Sequence, residues 1–206
     1  RSRGLGDVYK RQRLDLPIKY LKIEDTLISA EKILINAVDD AKSLFHTPVV
    51  SSIKNNQITS RVMVLREFDL EGRKMRFHTD YRASKIHHYE EDSSATVIGY
   101  DPEIKIQIKL QGNMSIHYDD ETTKLAWDNS TPRSKKCYSV KGGSSKEISN
   151  PEEYDIKDFE VEEGYKNFAV LVFHFNSLEF LYLKSSGHRR AIHKWNDEYD
   201  SNWLVP

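Results

Sequence analysis

Apolar residues recur at helical spacing early in the chain. After Asp25-Thr26 come Leu27, Ala30, Leu34, Val38, Ala41 and Phe45. This period predicts an amphipathic helix over Thr26 to Leu44. Asp25-Thr26 supplies its N-cap, and the Thr47-Pro48 step ends it, because the residue before a proline is pushed out of the helical region. The apolar stripe marks a core-facing side. Beyond Pro48 the period falls to two. Strands are expected at Val49–Ile53, Ser60–Phe68 and Lys74–Thr79, separated by the turn-forming Lys54-Asn-Asn56 and Asp69-Leu-Glu-Gly72.

Ser84–Glu91 reads as a short helix. Strands resume at Ala95–Tyr100 and Ile104–Tyr118, where Ile104, Ile106, Ile108 and Leu110 alternate with Lys105, Gln107, Lys109 and Gln111. Asp119–Trp127 reads as a helix with an acidic first turn. Ser139–Gly164 is polar and rich in Gly and Ser, so a long loop is expected there. Phe168–Leu183 carries the strongest strand signal, as a pair broken at Asn176-Ser177; a basic segment, Gly187–Trp195, and a hydrophobic turn, Trp203–Pro206, close the chain. This order describes an α+β barrel and not a βαβ sheet.

Bulk properties narrow the function classes. With 206 residues, one domain over 18–206 is expected, and 38% hydrophobic residues suffice for a folded core. Residues 4–12 resemble translated adapter sequence, so 1–17 is set aside as an artefact or a disordered arm; Arg1–Gln12 also lacks the apolar stretch of a secretory signal. The 31 basic and 32 acidic residues leave a net charge of −1, which gives no bulk attraction to nucleic acid or membrane. Any anion site must be local. A single cysteine, Cys137, excludes an intrachain disulfide and fits a cytoplasmic protein.

Phosphate-loop, dinucleotide, zinc-protease and nucleophile-elbow signatures are all missing. His87-His88 is the only adjacent histidine pair; neighbours on a helix diverge by ~100°, so no metal site is expected and both are read as solvated. The informative stretch is Arg61-Val-Met-Val-Leu-Arg66 followed by Phe77-His-Thr-Asp-Tyr-Arg-Ala-Ser-Lys85. A phosphate monoester is held by a guanidinium fork, an ammonium and hydroxyl or amide donors. Arg61, Thr79, Arg82, Ser84 and Lys85 supply those types at strand ends and at a turn entering a helix. A solvated basic turn is the competing reading.

These motifs resemble the pyridoxamine 5′-phosphate oxidases and their FMN-binding relatives. An Arg-x-x-x-Leu-Arg strand, His78-Thr79, Ser84-Lys85, Gln107 ahead of Gly112, Leu178-Glu-Phe180, His188-Arg189 and a terminal Leu204-Val-Pro206 match in order over Ile18 to Pro206. The resemblance implies a six-stranded antiparallel split β-barrel with flanking helices, forming a homodimer with FMN in the groove between subunits. By it, Arg61, Ser84 and Lys85 hold the phosphate, with Thr79 and Arg82 as helpers beside His78. The backbone of Val62, Met63, Val64 and Leu65 runs along the isoalloxazine, with Arg66 a candidate for its pyrimidine end or for the substrate. Gln107 hydrogen-bonds near the ring, and Ser144 and Ser145 come from the second subunit. Arg66, Arg133, Ser134 and Arg189 are the implied substrate contacts.

Several substrate-side positions depart from the family pattern. Thr131 stands at a substrate arginine, Leu181 at a flavin-contacting tryptophan, Ala191 at a substrate histidine and His193 at a later arginine. The expectation is therefore an FMN-binding oxidoreductase acting on an unassigned small molecule. The alternatives are a flavin-binding or redox-sensing module without turnover, or a barrel that has exchanged flavin for haem.

Overall fold

The computed structural model describes residues 14–144, 146–155 and 161–206. The predicted 1–17 arm lies outside them except for its last four residues, of which Leu14 and Leu16 pack onto the core.

Helix α1 spans Glu24–Asp39 and buries Ala30, Ile33, Leu34 and Ala37. It is shorter than the apolar period suggested. Asp40 is extended, at φ −94° and ψ 94°, and its carboxylate accepts the Lys42 amide, so the chain turns before Ala41 and Phe45. Nor does Thr26 cap it. Ile23 holds the cap position, and the buried Thr26 hydroxyl donates back to the Ile23 carbonyl at 2.6 Å.

Among the described residues nine strands form one antiparallel sheet: β1 Val49–Lys54, β2 Gln57–Val62, β3 Leu65–Asp69, β4 Lys74–Asp80, β5 Ser94–Asp101, β6 Ile106–His117, β7 Phe168–Tyr182, β8 Arg189–Trp195 and β9 Tyr199–Leu204. The main path runs β2-β1-β5-β6-β7-β4-β3, and a β8–β9 hairpin extends from β7. The two ends of this path, β2 and β3, are successive in the chain and separated only by Met63-Val64. The sheet must therefore curl until its edges meet, which is a barrel split along one seam. Phe77, Phe173, Phe175, Phe180, Leu65, Met75, Ile108 and Leu110 fill it.

Three sequence expectations change here. Ser60–Phe68 is two strands, because the link Met63-Val64 turns the corner between them. Phe168–Leu183 is one long strand and not a pair. Gln111 faces Ser177 while Gly112 faces Phe175, so Asn176 is a bulge and not a break. Gly112 permits the close approach, since a Cβ there would lie 2.0 Å from the His174 carbonyl oxygen. Finally, the basic segment and the terminal turn are the strands β8 and β9, pairing through Arg190 with Leu204 and Ile192 with Asn202.

The remaining helices are short: α2 Lys85–Glu91, α3 Glu121–Asp128 and α4 Pro132–Lys136. α3 starts on a capping box in which the Asp120 carboxylate accepts the Thr123 amide and the Thr123 hydroxyl accepts the Asp120 amide. α4 begins at Pro132 behind the Thr131 cap. The 139–164 excursion is loop with 3-10 turns at Pro151–Tyr154 and Val161–Asn167 over its described residues.

Candidate functional site

The seam of the barrel opens into a groove of about 790 Å³. That volume suits a cofactor-sized ligand. Its wall is the corner of β2 and β3, its floor the end of β4 and the start of α2, and its outer lip α4 with the following loop.

One end of the groove is cationic. Arg61, the fifth residue of β2, donates from Nη1 to the Ser52 hydroxyl at 2.9 Å and the Val50 carbonyl at 3.3 Å, and from Nη2 to the Thr59 hydroxyl at 2.9 Å. A guanidinium has five N–H donors, so part of the fork is left for a ligand. Lys85, the first residue of α2, donates from Nζ to the buried Thr79 hydroxyl at 3.0 Å. Burial, and then the charge of Arg61, push the Lys85 pKa below its ordinary value despite the opposing pull of Asp80. Among the described residues neither cation makes an ion pair. Two close positive charges without a carboxylate are destabilising until an anion arrives.

The other end holds Arg66, His78, Arg133, Ser134, Cys137 and Tyr138. Arg66 falls at a register shift between β3 and β4, and such bulges re-aim side chains. Among the described residues its buried Nε and the His78 Nε2 make no hydrogen bond. Burial, then Arg66 and Arg76, push the His78 pKa down to about 3. His78 is thus a neutral imidazole, and the cations at this end are Arg66 and Arg133. Burial raises the Tyr138 phenol, with Arg66 opposing. Between the two ends runs the corner itself: the Met63 and Leu65 amides donate to Pro48 and His46 carbonyls, at 3.1 and 2.8 Å. Among the described residues the Val64 amide between them has no backbone acceptor, and Val64 lines the groove.

Of the residues singled out in the sequence, Arg61, Val62, Met63, Val64, Arg66, His78, Thr79, Ser84, Lys85, Arg133, Ser134 and Ser144 meet in this groove. Ser144 lines the groove of its own chain, and Ser145 lies outside the described residues. Arg82 is not in it. Its guanidinium grips Asp80 at 2.6 and 2.9 Å and the Val140 carbonyl at 3.0 Å, so it anchors the loop that carries Ser144. That loop approaches Arg82 through Gly143, where a Cβ would lie 2.7 Å from the Arg82 carbonyl oxygen. Leu65 is buried in the core with its amide spent on His46.

Gln107 and Arg189 are elsewhere too. Gln107 sits on the outer sheet face, opposite Tyr100 and Leu181. Arg189 opens β8, exposed, with Nη1 donating to the His188 carbonyl at 2.8 Å. His193 is fully buried, with Nε2 2.8 Å from the Thr26 hydroxyl and Nδ1 2.8 Å from the Tyr199 hydroxyl, so it joins α1 to the last hairpin. His88, read as solvated, is buried against Ser52 and Thr59. Sequence reasoning missed it with Cys137 and Tyr138. The available signal was the small polar Ser52 two residues from the buried Val50, which demands a polar partner in the interior.

Groove and barrel define a split-barrel protein with a cationic pole facing a second, partly unsatisfied polar end. Residues 30–118 match the family described as "Pyridoxamine 5'-phosphate oxidase, FMN-binding domain". That stretch runs from within α1 through β6 and is what this chain shares with the pyridoxamine 5′-phosphate oxidase-like FMN-binding family. The fold is shared with a pyridoxamine 5′-phosphate oxidase-related FMN-binding protein from Nostoc punctiforme, at TM-score 0.72 and 17% identity over 86% of this chain and 96% of that one. PhzG from Burkholderia lata, solved with tetrahydrophenazine-1-carboxylic acid, superposes at TM-score 0.72 and 18% identity over 93% and 99%. No curated protein sequence matches the chain. Among the described residues no helix is long and apolar enough to cross a membrane, and no group of three or more His, Cys, Asp or Glu residues is placed to hold a metal ion.

Proposed function

We propose that the groove binds FMN and that the chain is an FMN-dependent oxidoreductase acting on a small molecule. The observation that carries this reading is the Arg61–Lys85 pair: two cations without a carboxylate partner at one end of a groove of about 790 Å³. The phosphate belongs at that end, held by Arg61, Lys85 and the Ser84 and Thr79 hydroxyls. The ring belongs along Met63-Val64, with the Val64 amide as a donor toward it. Bound flavin supplies the redox chemistry; the chain supplies binding, orientation and electrostatics. Arg66 places a fixed positive charge at the ring end, where it favours electron-rich groups, while neutral His78 adds a hydrogen-bonding nitrogen without charge. Arg133 and Ser134 on the outer lip suit an anionic group on the substrate.

We further propose that the working unit is a homodimer built on the outer sheet face. One row across that face reads Val62, Val49, Ile98, Lys109, Glu179 and Ile192, and the row containing Tyr100 reads Tyr100, Gln107, Leu181 and Arg190. Val62 is 61% exposed and Tyr100 43%, and Val62 also edges the groove. A second copy on this face brings Gln107, remote from its own groove, toward its partner's. The single thiol fits a cytoplasmic setting.

Purified protein tests the reading directly. A yellow protein with flavin absorbance, or a colourless one that takes up FMN stoichiometrically, is expected; failure to bind FMN in either way overturns it. The reading as a module without turnover is favoured by one observation: His193, at a family arginine position, is locked between Thr26 and Tyr199. Reduction of the bound flavin by NAD(P)H, with reoxidation by a small-molecule acceptor, separates the enzyme from the module.

A further inference from the structure

Arg61 is not simply present at the cationic pole; it is held there by a closed network. Its Nη1 and Nη2 groups donate to the Ser52 and Thr59 hydroxyls, each at 2.9 Å. Those two oxygens lie 3.0 Å apart, and His88 Nδ1 lies 3.2 Å from the first and 3.3 Å from the second. A guanidinium only donates, so both hydroxyls use lone pairs on Arg61 and must direct their protons elsewhere. The acceptors in reach are the other hydroxyl, the Tyr89 hydroxyl beside Ser52, the Ser52 carbonyl at 3.5 Å from Thr59 Oγ1, and His88 Nδ1. The carbonyl contact sits at the limit of a hydrogen bond, and Tyr89 stands beside Ser52, whereas His88 Nδ1 is an acceptor that both hydroxyls reach.

We propose that His88 is a positioning residue of the anion site: as a neutral imidazole accepting at Nδ1, it orients the Ser52 and Thr59 hydroxyls and through them the Arg61 fork. This inference rests on the groove's being the FMN phosphate site. The surroundings agree with a neutral ring. Burial, then Lys54 of β1 and Arg61 of β2, hold its pKa below the ordinary value; Glu91 opposes them and His87 adds to them on α2. An imidazolium there has no proton acceptor to offer, and its Nδ1–H points at oxygens already receiving from Arg61.

The test compares wild type with His88→Asn, whose amide oxygen stands near the Nδ1 position, and His88→Leu, which fills the space without an acceptor. FMN and riboflavin are titrated into each full-length apoprotein by flavin fluorescence. Loss of an acceptor that orders a charged donor is expected to weaken FMN binding about tenfold in His88→Leu, with riboflavin unchanged. His88→Asn is expected to bind FMN close to wild type. FMN affinity unchanged in His88→Leu, equal losses in both variants, or parallel losses of FMN and riboflavin each overturn the proposal. Nitrogen chemical shifts of the apoprotein supply a flavin-free readout: a neutral imidazole protonated at Nε2 is expected near pH 7, and a proton on Nδ1 overturns the network. Wild type that binds no FMN overturns the proposed function instead, and the network is then read from thermal upshifts with inorganic phosphate in the same three proteins. A smaller shift in His88→Leu alone sustains it, and equal shifts end it.

Discussion

Replacing Lys85 by Met removes one positive charge from the groove and keeps most of the side-chain volume. The ammonium contributes two things: a hydrogen bond to the Thr79 hydroxyl at 3.0 Å and, in the proposed complex, a charge-assisted contact to phosphate. The first is worth about 1 kcal/mol of apoprotein stability. It is offset by relief from holding a buried cation beside Arg61, the same burial and repulsion that lower the Lys85 pKa. Apoprotein stability should therefore change little. Binding should change a great deal, since a hydrogen bond to a charged partner is worth roughly 1.5–3 kcal/mol, or about 10–150-fold in Kd. The sign with pH follows. Lys85 must be protonated to attract phosphate, and its folded pKa is depressed, so FMN affinity in wild type falls on the alkaline side before the ordinary lysine range. Lys85→Met lacks that limb. Fluorescence titrations with FMN and riboflavin, beside apoprotein melting curves, check all three expectations. Lys85→Met binding FMN as tightly as wild type at 0.15 M salt would refute the assignment of the cationic pole.

Three further outcomes are expected. Gly112→Ala drives a Cβ to 2.0 Å from the His174 carbonyl oxygen and should cost about 1–3 kcal/mol in urea unfolding; a neutral change would mean the bulge slides freely. His193 is buried neutral, its pKa pushed down to about 4, while the unfolded chain takes up the proton near 6.5. Its contribution is therefore present above pH 6.5 and lost as pH falls toward 4, so His193→Phe should be less stable near neutrality yet show a flatter acid limb. Unaltered pH dependence in denaturant melts would count against that burial. Val62→Arg places a charge in the exposed row of the outer face and should convert a dimer to monomer by sedimentation; an intact dimer would move the interface elsewhere.

The legible part of the fold was what local pattern controls. The period-two alternation of Ile106, Ile108 and Leu110 gave β6 its inward face, and all three are buried. What failed depended on distant partners. The apolar period ran past Asp39, yet Phe45 serves the core from a turn, where it packs against Gly99. Nothing local distinguishes a strand break at Asn176-Ser177 from a bulge; that difference is decided by Gly112 on the neighbouring strand. The basic β8 and the polar β9 have weak intrinsic strand signals; β8 exists because β7 offers it an edge, and β9 because β8 does.

The site divides along the same line. Arg61 and Lys85 were placed together on residue type and order, at strand ends and at a turn entering a helix. Only the second half of the expected Ser60–Phe68 strand forms a hairpin with β4: β3 pairs with β4, while Arg61 lies on β2, which pairs with β1. The residues meet because the sheet's two edges are adjacent in the chain, so closing the barrel brings the end of β2 over the end of β4. The same closure turns Arg66 inward at the register shift and leaves the Val64 amide without a strand partner. A seam is where a barrel has donors left over. In this chain those donors stand between two positive ends, and the closure that completes the core also supplies the groove with its unsatisfied polarity.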